Sequence, residues 1–401
     1  MYQKSSHYSA RKSQGKVFSS SRQRRSKRGP KKDYIDPSKF IRQARPSVVQ
    51  AYQPTHYFDD FKLNPRVNTN LKNMGYKIPT AIQDQAIPPA LIGKDVIGIA
   101  NTGTGKTAAF AIPVIHRLLN DSRSKAVIIA PTRELAEQIE QACREIGKTS
   151  QLDSALLIGG MPIGLQLRDL RRNPRIIIGT PGRVKDHLER KSLRLNDCNM
   201  VVLDEVDRML DMGFVKDISL ILSHTDPRRQ NLYFSATLDQ RVQGIIEKFS
   251  NNPVHISVKS GDTSSNIEQN IISHRSDNKL DMLHAVLVKE TTTKTIIFED
   301  TQRGVESLSK ELASRGFLAD AIHGGRNQSQ RQKVLHRFKR SEVKVLVATD
   351  VAARGLDVSD ISHVINYSLP QTYDNYVHRI GRTGRAGRIG YALTFIENNK
   401  Q

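Results

Sequence analysis

Residues 95–119 read DVIGIANTGTGKTAAFAIPVIHRLL, and the reading of this stretch decides the fold. Asp95 to Ala100 has the composition of a short buried strand, the glycines follow it, and the apolar residues after Thr107 recur at helical spacing. A strand, a glycine loop and a helix in that order bring backbone N–H groups to a helix N-terminus, where the dipole and the orphan amides favour anions. Gly103 and Gly105 let the loop curl around the β- and γ-phosphates of a nucleotide, Lys106 adds a point charge, and Thr107 offers an oxygen ligand for Mg2+. Ala100 stands at the first position of the usual GxxxxGK[ST] pattern, so the generic form is missed by a single methyl group. Downstream, residues 204–207 read DEVD at the end of the apolar run MVVL, an acidic cluster able to hold a metal-bound water.

Outward from this stretch, apolar strand-like runs alternate with amphipathic helical ones. KAVIIA, ALLIG, RIIIGT, MVVLDE, NLYFSAT and VHISV are the runs of the first half, with helices between most of them. In RELAEQIEQACREI, Leu135, Ile139, Ala142 and Ile146 line one predicted helix face. Residues 259–266, KSGDTSSN, read as a polar linker, and a second set follows: KTIIFED, LADAIHG, VKVLVATD, SHVINYS and YALTFIE. Apolar strands joined by helices imply parallel sheets, so two α/β domains of similar architecture are expected. Ligands of open parallel sheets bind beyond the carboxyl ends of the strands. ANTGTGKT, PTREL, TPGR, DEVD, SAT and ATDVAARGLD each follow one of these runs, a placement that core packing has no reason to produce.

Composition narrows the class. The 401 residues suffice for two to three domains, and no apolar run approaches the length of a membrane span. The formal charge is +22, and residues 1–50 contribute 14 Lys or Arg against 2 Asp. Clustered cations gain by displacing phosphate counterions, so a polyanion, most simply nucleic acid, is the expected partner; a solvated tail that aids solubility is the alternative. The first 32 residues hold no acid and are rich in Ser and Arg, as transit peptides are, but show no sustained apolar stripe, so a retained disordered arm is expected. Cys143 and Cys198 are the only cysteines, which excludes a disulfide framework or a cysteine zinc site and implies a reducing, cytoplasmic setting.

Taken in order, these clusters resemble the motif set of the DEAD-box family of ATP-dependent RNA helicases over about residues 54–397. The resemblance implies two RecA-like parallel-sheet domains in tandem: a basic disordered arm at 1–53, an ATP-binding domain at 54–258, the linker, and a helicase domain at 267–401. It also implies ATP and Mg2+ as cofactors, RNA as the partner, and a monomer without membrane attachment. Residues Thr102, Gly103, Thr104, Gly105, Lys106, Thr107 and Ala108 would cradle the nucleotide. Phe58, seventeen residues before Gly75 of GYKIPTAIQ, would lid the adenine, with Gln83 on the base edge, where an amide matches N6 and N7 of adenine. A core Phe and a helix-surface Gln are the alternative.

By the same resemblance Asp204 would hold Mg2+ and Glu205 would orient or deprotonate the attacking water, since phosphoryl transfer needs mainly positioning and charge neutralisation. A structural ion-pair network is the other reading of such acids. Position 206 is Val where the family has Ala, which should alter packing and leave the chemistry intact. Asp207 would bond the SAT turn, Ser235 to Thr237, and with His378 couple nucleotide state to domain closure. Arg382 and Arg385, placed on one helix face, would act as arginine fingers, and Gly355 and Asp357 would meet phosphate and ribose. Arg385 could alternatively bind RNA. The RNA contacts implied are Thr132, Arg133, Gly160, Thr180, Gly182 and Arg183 in the first domain and Gln328, Arg331 and Thr349 in the second. These are hydroxyls, amides and cations suited to phosphate and sugar, which implies salt-sensitive binding with little base preference. A nucleotide-gated RNA clamp and a DNA-acting motor are the competing readings.

Overall fold

The computed structural model describes residues 1, 35–44, 52–101, 103–148, 150–258, 263–289, 291–353, 358, 360–384 and 388–398. The first lobe is built on seven strands: β1 (Val96–Ala100), β2 (Ala126–Ile129), β3 (Ser154–Leu157), β4 (Ile176–Gly179), β5 (Met200–Asp204), β6 (Gln230–Ser235) and β7 (Val254–Val258). Their order is β3-β4-β2-β5-β6-β1-β7 and every pairing is parallel. β1, β2, β4, β5 and β6 are buried along their whole length, which is why they read as unbroken apolar runs, whereas the edge strands β3 and β7 are only partly buried.

The second lobe has six strands: β8 (Ile267–His274), β9 (Thr295–Phe298), β10 (Ala319–Ile322), β11 (Val345–Ala348), β12 (His363–Asn366) and β13 (Gly390–Glu397). They lie in the order β10-β11-β9-β12-β13-β8, again all parallel. In each lobe, helices cover both faces and separate the core into two layers. Val127, Ile129, Val201 and Leu203 pack on one side of the first sheet, and Ile128, Ala130, Met200 and Val202 on the other. Both lobes lie within one unit, Ile35–Gln401.

This order positions the site. β5, β6 and β1 are adjacent, so the DEVD cluster, the SAT turn and the glycine loop emerge side by side from three neighbouring strand ends. Gly98 in β1 is required by the neighbour strand: a Cβ there would stand 2.6 Å from the Phe234 ring.

Four expectations are revised. Residues 35–44 and 52–53, expected within the disordered arm, have defined structure, with a 3-10 turn at Pro37–Phe40 and a bridge from Arg42 to β8. Within the expected linker, Thr263–Asn266 form a 3-10 turn leading into β8. On the helix Arg133–Ile146, Cys143 rather than Ala142 fills the buried row with Leu135, Ile139 and Ile146. β8 itself was not among the expected strands, because Glu268, Gln269 and Asn270 interrupt its apolar pattern at a sheet edge.

Candidate active site

The glycine loop turns into the helix Lys106–Asn120 through Gly105, whose φ of 92° lies where side chains other than hydrogen are strained. A Cβ at Gly105 would also stand 2.4 Å from Gln83 Nε2. The closeness has a purpose: the Gln83 amide nitrogen donates to the Gly105 carbonyl at 3.1 Å while its oxygen accepts from the Thr80 N–H at 3.0 Å. Gln83 therefore ties the start of its own helix, Ala81–Leu91, to the phosphate loop. The Lys106 ammonium, largely buried, donates to the Ala100 carbonyl at 2.8 Å, and the Thr104 hydroxyl closes the loop onto Asn101 O at the same distance. Ala108 is buried beneath the loop and Thr107 is half-buried. Thr102 lies outside the described residues.

Phe58 is 4 % exposed and meets the rings of Phe61 and Tyr76 edge-on, the core surroundings that the sequence reading held as the alternative to an adenine lid.

Asp204 closes β5 with its carboxyl buried, and that burial, reinforced by Glu205 and Asp207 and opposed by the Lys106 ammonium, pushes its pKa up to about 7. Glu205 follows with φ 51° and ψ 55°, a left-handed backbone that costs a non-glycine residue on the order of 1–3 kcal/mol and turns the chain sharply into the helix Val206–Asp211. Val206 is fully buried in the core beneath this turn. Asp207 faces β6: one carboxylate oxygen accepts from the Ala236 N–H (3.1 Å), the Thr237 N–H (3.0 Å) and the Thr237 hydroxyl (3.2 Å), and its own N–H donates to Ser235 Oγ at 3.3 Å. The DEVD cluster and the SAT turn are thus one hydrogen-bonded unit.

The second lobe contributes the helix Tyr373–Ile380. Arg379 on this helix is buried and forms a two-pronged pair with Asp350, both prongs at 2.6 Å, while also donating to the Asn366 side chain and Ser368 O. The helix ends at Ile380, with Gly381 capping it, so Arg382 sits in the turn that follows and not on the expected helix face. Arg382 is buried and lines a pocket with His378, Asn375 and Asp350 of its own lobe and with Arg208 of the first. Arg385, Gly355 and Asp357 lie outside the described residues.

The residues expected to touch RNA form one cluster on the first lobe. Thr132 caps the helix Arg133–Ile146 by accepting from the Leu135 N–H. The Arg133 guanidinium lies over the Gly159–Gly160 turn, where a Cβ at Gly160, whose φ is 82°, would be 2.4 Å from Nη1. Arg183, two residues inside the helix that Thr180 begins, donates to Met161 O at 3.4 Å, and Gly182 faces open space. From the second lobe, Gln328 donates to Glu134 (3.3 Å) and Glu137 (3.1 Å), and Arg331 pairs with Glu134 at 2.8 Å. Thr349 stands apart, at the end of β11, where its carbonyl starts the short helix Asp350–Ala353.

Glu134, Glu137, Arg208 and Asp84 escaped the sequence reading. Burial pushes the Glu137 carboxyl up and the Arg331 guanidinium down from their ordinary values.

Comparison with known proteins gives the class. A DEAD/DEAH box helicase family model matches residues 80–245 and a helicase conserved C-terminal domain model matches residues 278–387. The DEAD-box ATP-dependent RNA helicase CshA of Bacillus licheniformis is 47 % identical over 341 residues, covering 84 % of this chain and 70 % of that protein. Mss116p bound to single-stranded RNA and AMP-PNP superposes with a TM-score of 0.76 at 31 % identity, covering 85 % of this chain and 74 % of that one. A DEAD box protein from the hyperthermophile Methanococcus jannaschii is 37 % identical over 85 % of this chain and 93 % of its own, yet superposes at only 0.51. The chain belongs to the DEAD-box family of ATP-dependent RNA helicases, which are RNA-dependent ATPases.

Proposed function

We propose that this chain remodels short RNA duplexes or RNA–protein complexes by closing two lobes over ATP and one RNA strand, with little sequence preference. The observation that carries the reading is the pocket in which Arg382 of the second lobe meets Arg208 of the first, which stands on the helix Val206–Asp211 directly after Asp204 and Glu205. Lys106 and the loop amides hold phosphate, Glu205 orients water, and Arg382 meets the developing charge only when the lobes are together, so hydrolysis depends on closure. Gln83, whose amide retains a donor and an acceptor beyond its two bonds, would read the base while sensing the loop. Asp207, through the SAT turn, and His378, in the pocket beside Arg382, would carry the state of one half-site to the other.

Among the described residues no three His, Cys, Asp or Glu side chains form a metal cage, which fits a Mg2+ ion that keeps most of its water and is held by one carboxylate, Asp204 at the end of β5, together with substrate phosphates. Mg2+ held by Asp204 and the Thr107 hydroxyl would supply charge neutralisation at the phosphates.

RNA would lie across Thr132, Arg133, Gly160, Thr180, Gly182 and Arg183 and reach Gln328, Arg331 and Thr349. Glu134 Oε2, Gln328 Oε1 and Arg331 Nε are buried at that seam without a protein partner; the two oxygens only accept, so of an RNA chain they could meet a 2′-OH and not a phosphate. We further infer a monomer that works in the cytoplasm. The test is ATP hydrolysis with matched RNA and DNA strands, in the parent and in Glu205→Gln. RNA-selective stimulation, with turnover in the variant reduced at least a hundredfold on the scale of lost positioning groups, is expected. Equal turnover by the variant would remove Glu205 from its role, and equal stimulation by DNA would remove the RNA assignment.

A further inference from the structure

Residues 35–44 precede the first lobe in sequence but are seated on the second. Asp36 caps the turn Pro37–Phe40 by accepting from the Ser38 N–H at 2.9 Å. Phe40, 1 % exposed, fills a site made by Ile267 of β8, Tyr376 and Ile380 of the helix that leads to Arg382, and Ala392 of β13. Its ring meets Tyr376 edge to face at 4.7 Å, and the Lys39 ammonium lies 5.4 Å from the Tyr373 ring. Arg42 exchanges both backbone hydrogen bonds with Gln269 (2.9 and 2.8 Å), adding an antiparallel bridge outside β8, and the Ala44 N–H donates to the Glu268 carboxylate at 2.7 Å. Tyr376 OH donates in turn to Gln269 Oε1 at 2.9 Å, so bridge and helix are joined.

The chain then returns to the first lobe and is pinned again. Asp84, buried and adjacent to Gln83, accepts from Tyr52 OH (2.5 Å), the Thr55 N–H (2.7 Å) and the His56 N–H (3.1 Å), and its carboxylate faces His56 Nδ1 at 2.7 Å. From Ala44 to Tyr52 is eight residue steps, which at the extended rise reach at most about 27 Å.

We propose that residues 35–44 and 52–56, pinned to the second and the first lobe and joined by one covalent path, act as a strap, with Phe40, Arg42 and Asp84 as positioning residues that hold the Arg382-bearing turn near the Gln83 helix. This rests on the closure reading above and goes beyond it. One covalent linker lets the second lobe pivot freely; a second attachment at the β8 edge turns the pivot into a hinge, so fewer orientations are lost on closing. A larger closure-competent fraction tightens apparent RNA affinity in proportion, and the advantage vanishes once ATP and RNA saturate the protein.

The experiment is RNA-titrated ATP hydrolysis by the full chain at saturating ATP. Phe40→Ala should raise KM for RNA about three- to tenfold, on the scale set by effective concentration, with kcat and the salt dependence unchanged. The pair Arg42→Cys and Gln269→Cys replaces a hydrogen-bonded antiparallel pair, whose Cα spacing of about 5.5 Å suits a disulfide. Cys143 and Cys198 are buried, so mild oxidation should form the intended bond. Cross-linked Phe40→Ala should recover the parent KM. An unchanged KM in Phe40→Ala, a fall in kcat in place of a rise in KM, absence of the cross-link, or failure of the cross-link to rescue each overturns the strap. Absence of RNA stimulation in the parent would overturn the functional reading instead, and cross-link yield would then still measure docking.

Discussion

Arg331 Nη2 of the second lobe lies 2.8 Å from Glu134 Oε1 of the first, and both side chains are almost wholly withdrawn from solvent. An ion pair in such a place contributes little net stability when intact but costs about 3–5 kcal/mol when one member is removed, because the other is left buried and uncompensated. Neighbouring Gln328 and Gln332 also donate to Glu137, so the lobes meet through acids of the first and amides and a cation of the second.

Removing Glu134 therefore penalises the closed arrangement while leaving every nucleotide-facing group in place. Glu134→Gln is expected to lower kcat/KM for RNA in the ATPase assay by about tenfold or more, and Glu134→Gln combined with Arg331→Met to lose less than the two single changes added together. Strict additivity across that cycle would show that the pair is incidental to closure.

Val206 fills core space that an Ala would leave open. Val206→Ala should destabilise the first lobe by about 1–2 kcal/mol, measured by denaturant titration, with kcat under saturating ATP and RNA held within twofold. A large change in kcat would mean that this side chain aims the strained Glu205 turn.

Glu306 offers a pH test away from the nucleotide. The Arg326 guanidinium at 2.7 Å, then His323 at 2.8 Å, hold its carboxyl down at about 2. A depressed folded-state pKa contributes stability above the unfolded value of 4.5, and the contribution is lost as pH falls from there through about 2. Glu306→Gln should melt a few degrees below the parent at pH 7, with the gap closing toward pH 2. A gap independent of pH would place the effect in packing.

Residues 1–34 carry 11 Lys or Arg and a single Asp. Deleting them should weaken RNA binding and flatten the slope of log affinity against log salt by about 0.7 for each phosphate that the segment neutralises, with saturated turnover nearly intact. An unchanged slope would show that this segment does not touch RNA. Phe40→Ala, by contrast, should leave the slope alone.

The parallel sheets and the strand-end clusters were legible because central strands buried on both faces must be continuously apolar and ligands collect at their carboxyl ends. β8 was not, since an edge strand tolerates Glu268, Gln269 and Asn270. The Asp207–SAT unit followed from the family resemblance, whereas Arg382 was assigned to a helix because local pattern cannot show that Gly381 ends it. Phe58 had the right spacing for a stacking role, but only packing reveals that Phe61 and Tyr76 occupy its surroundings. Glu134, Glu137 and Asp84 were invisible for a common reason: each answers a partner distant in sequence, and no periodicity encodes that. The strap was hidden by composition, because a basic, Ser-rich start masks the single apolar anchor, Phe40.

Phe40 leaves the ribosome long before its seat exists, since that seat needs Ile267, Tyr376, Ile380 and Ala392. At about 5–20 residues added per second, roughly 20–70 s of synthesis separate the plug from the last part of its socket. The N-terminal segment must therefore stay soluble and uncommitted while both lobes are made, which its density of charge favours. Its seating waits until Ala392 has been added, and a nascent chain stalled before Ala392 would be left with the anchor exposed.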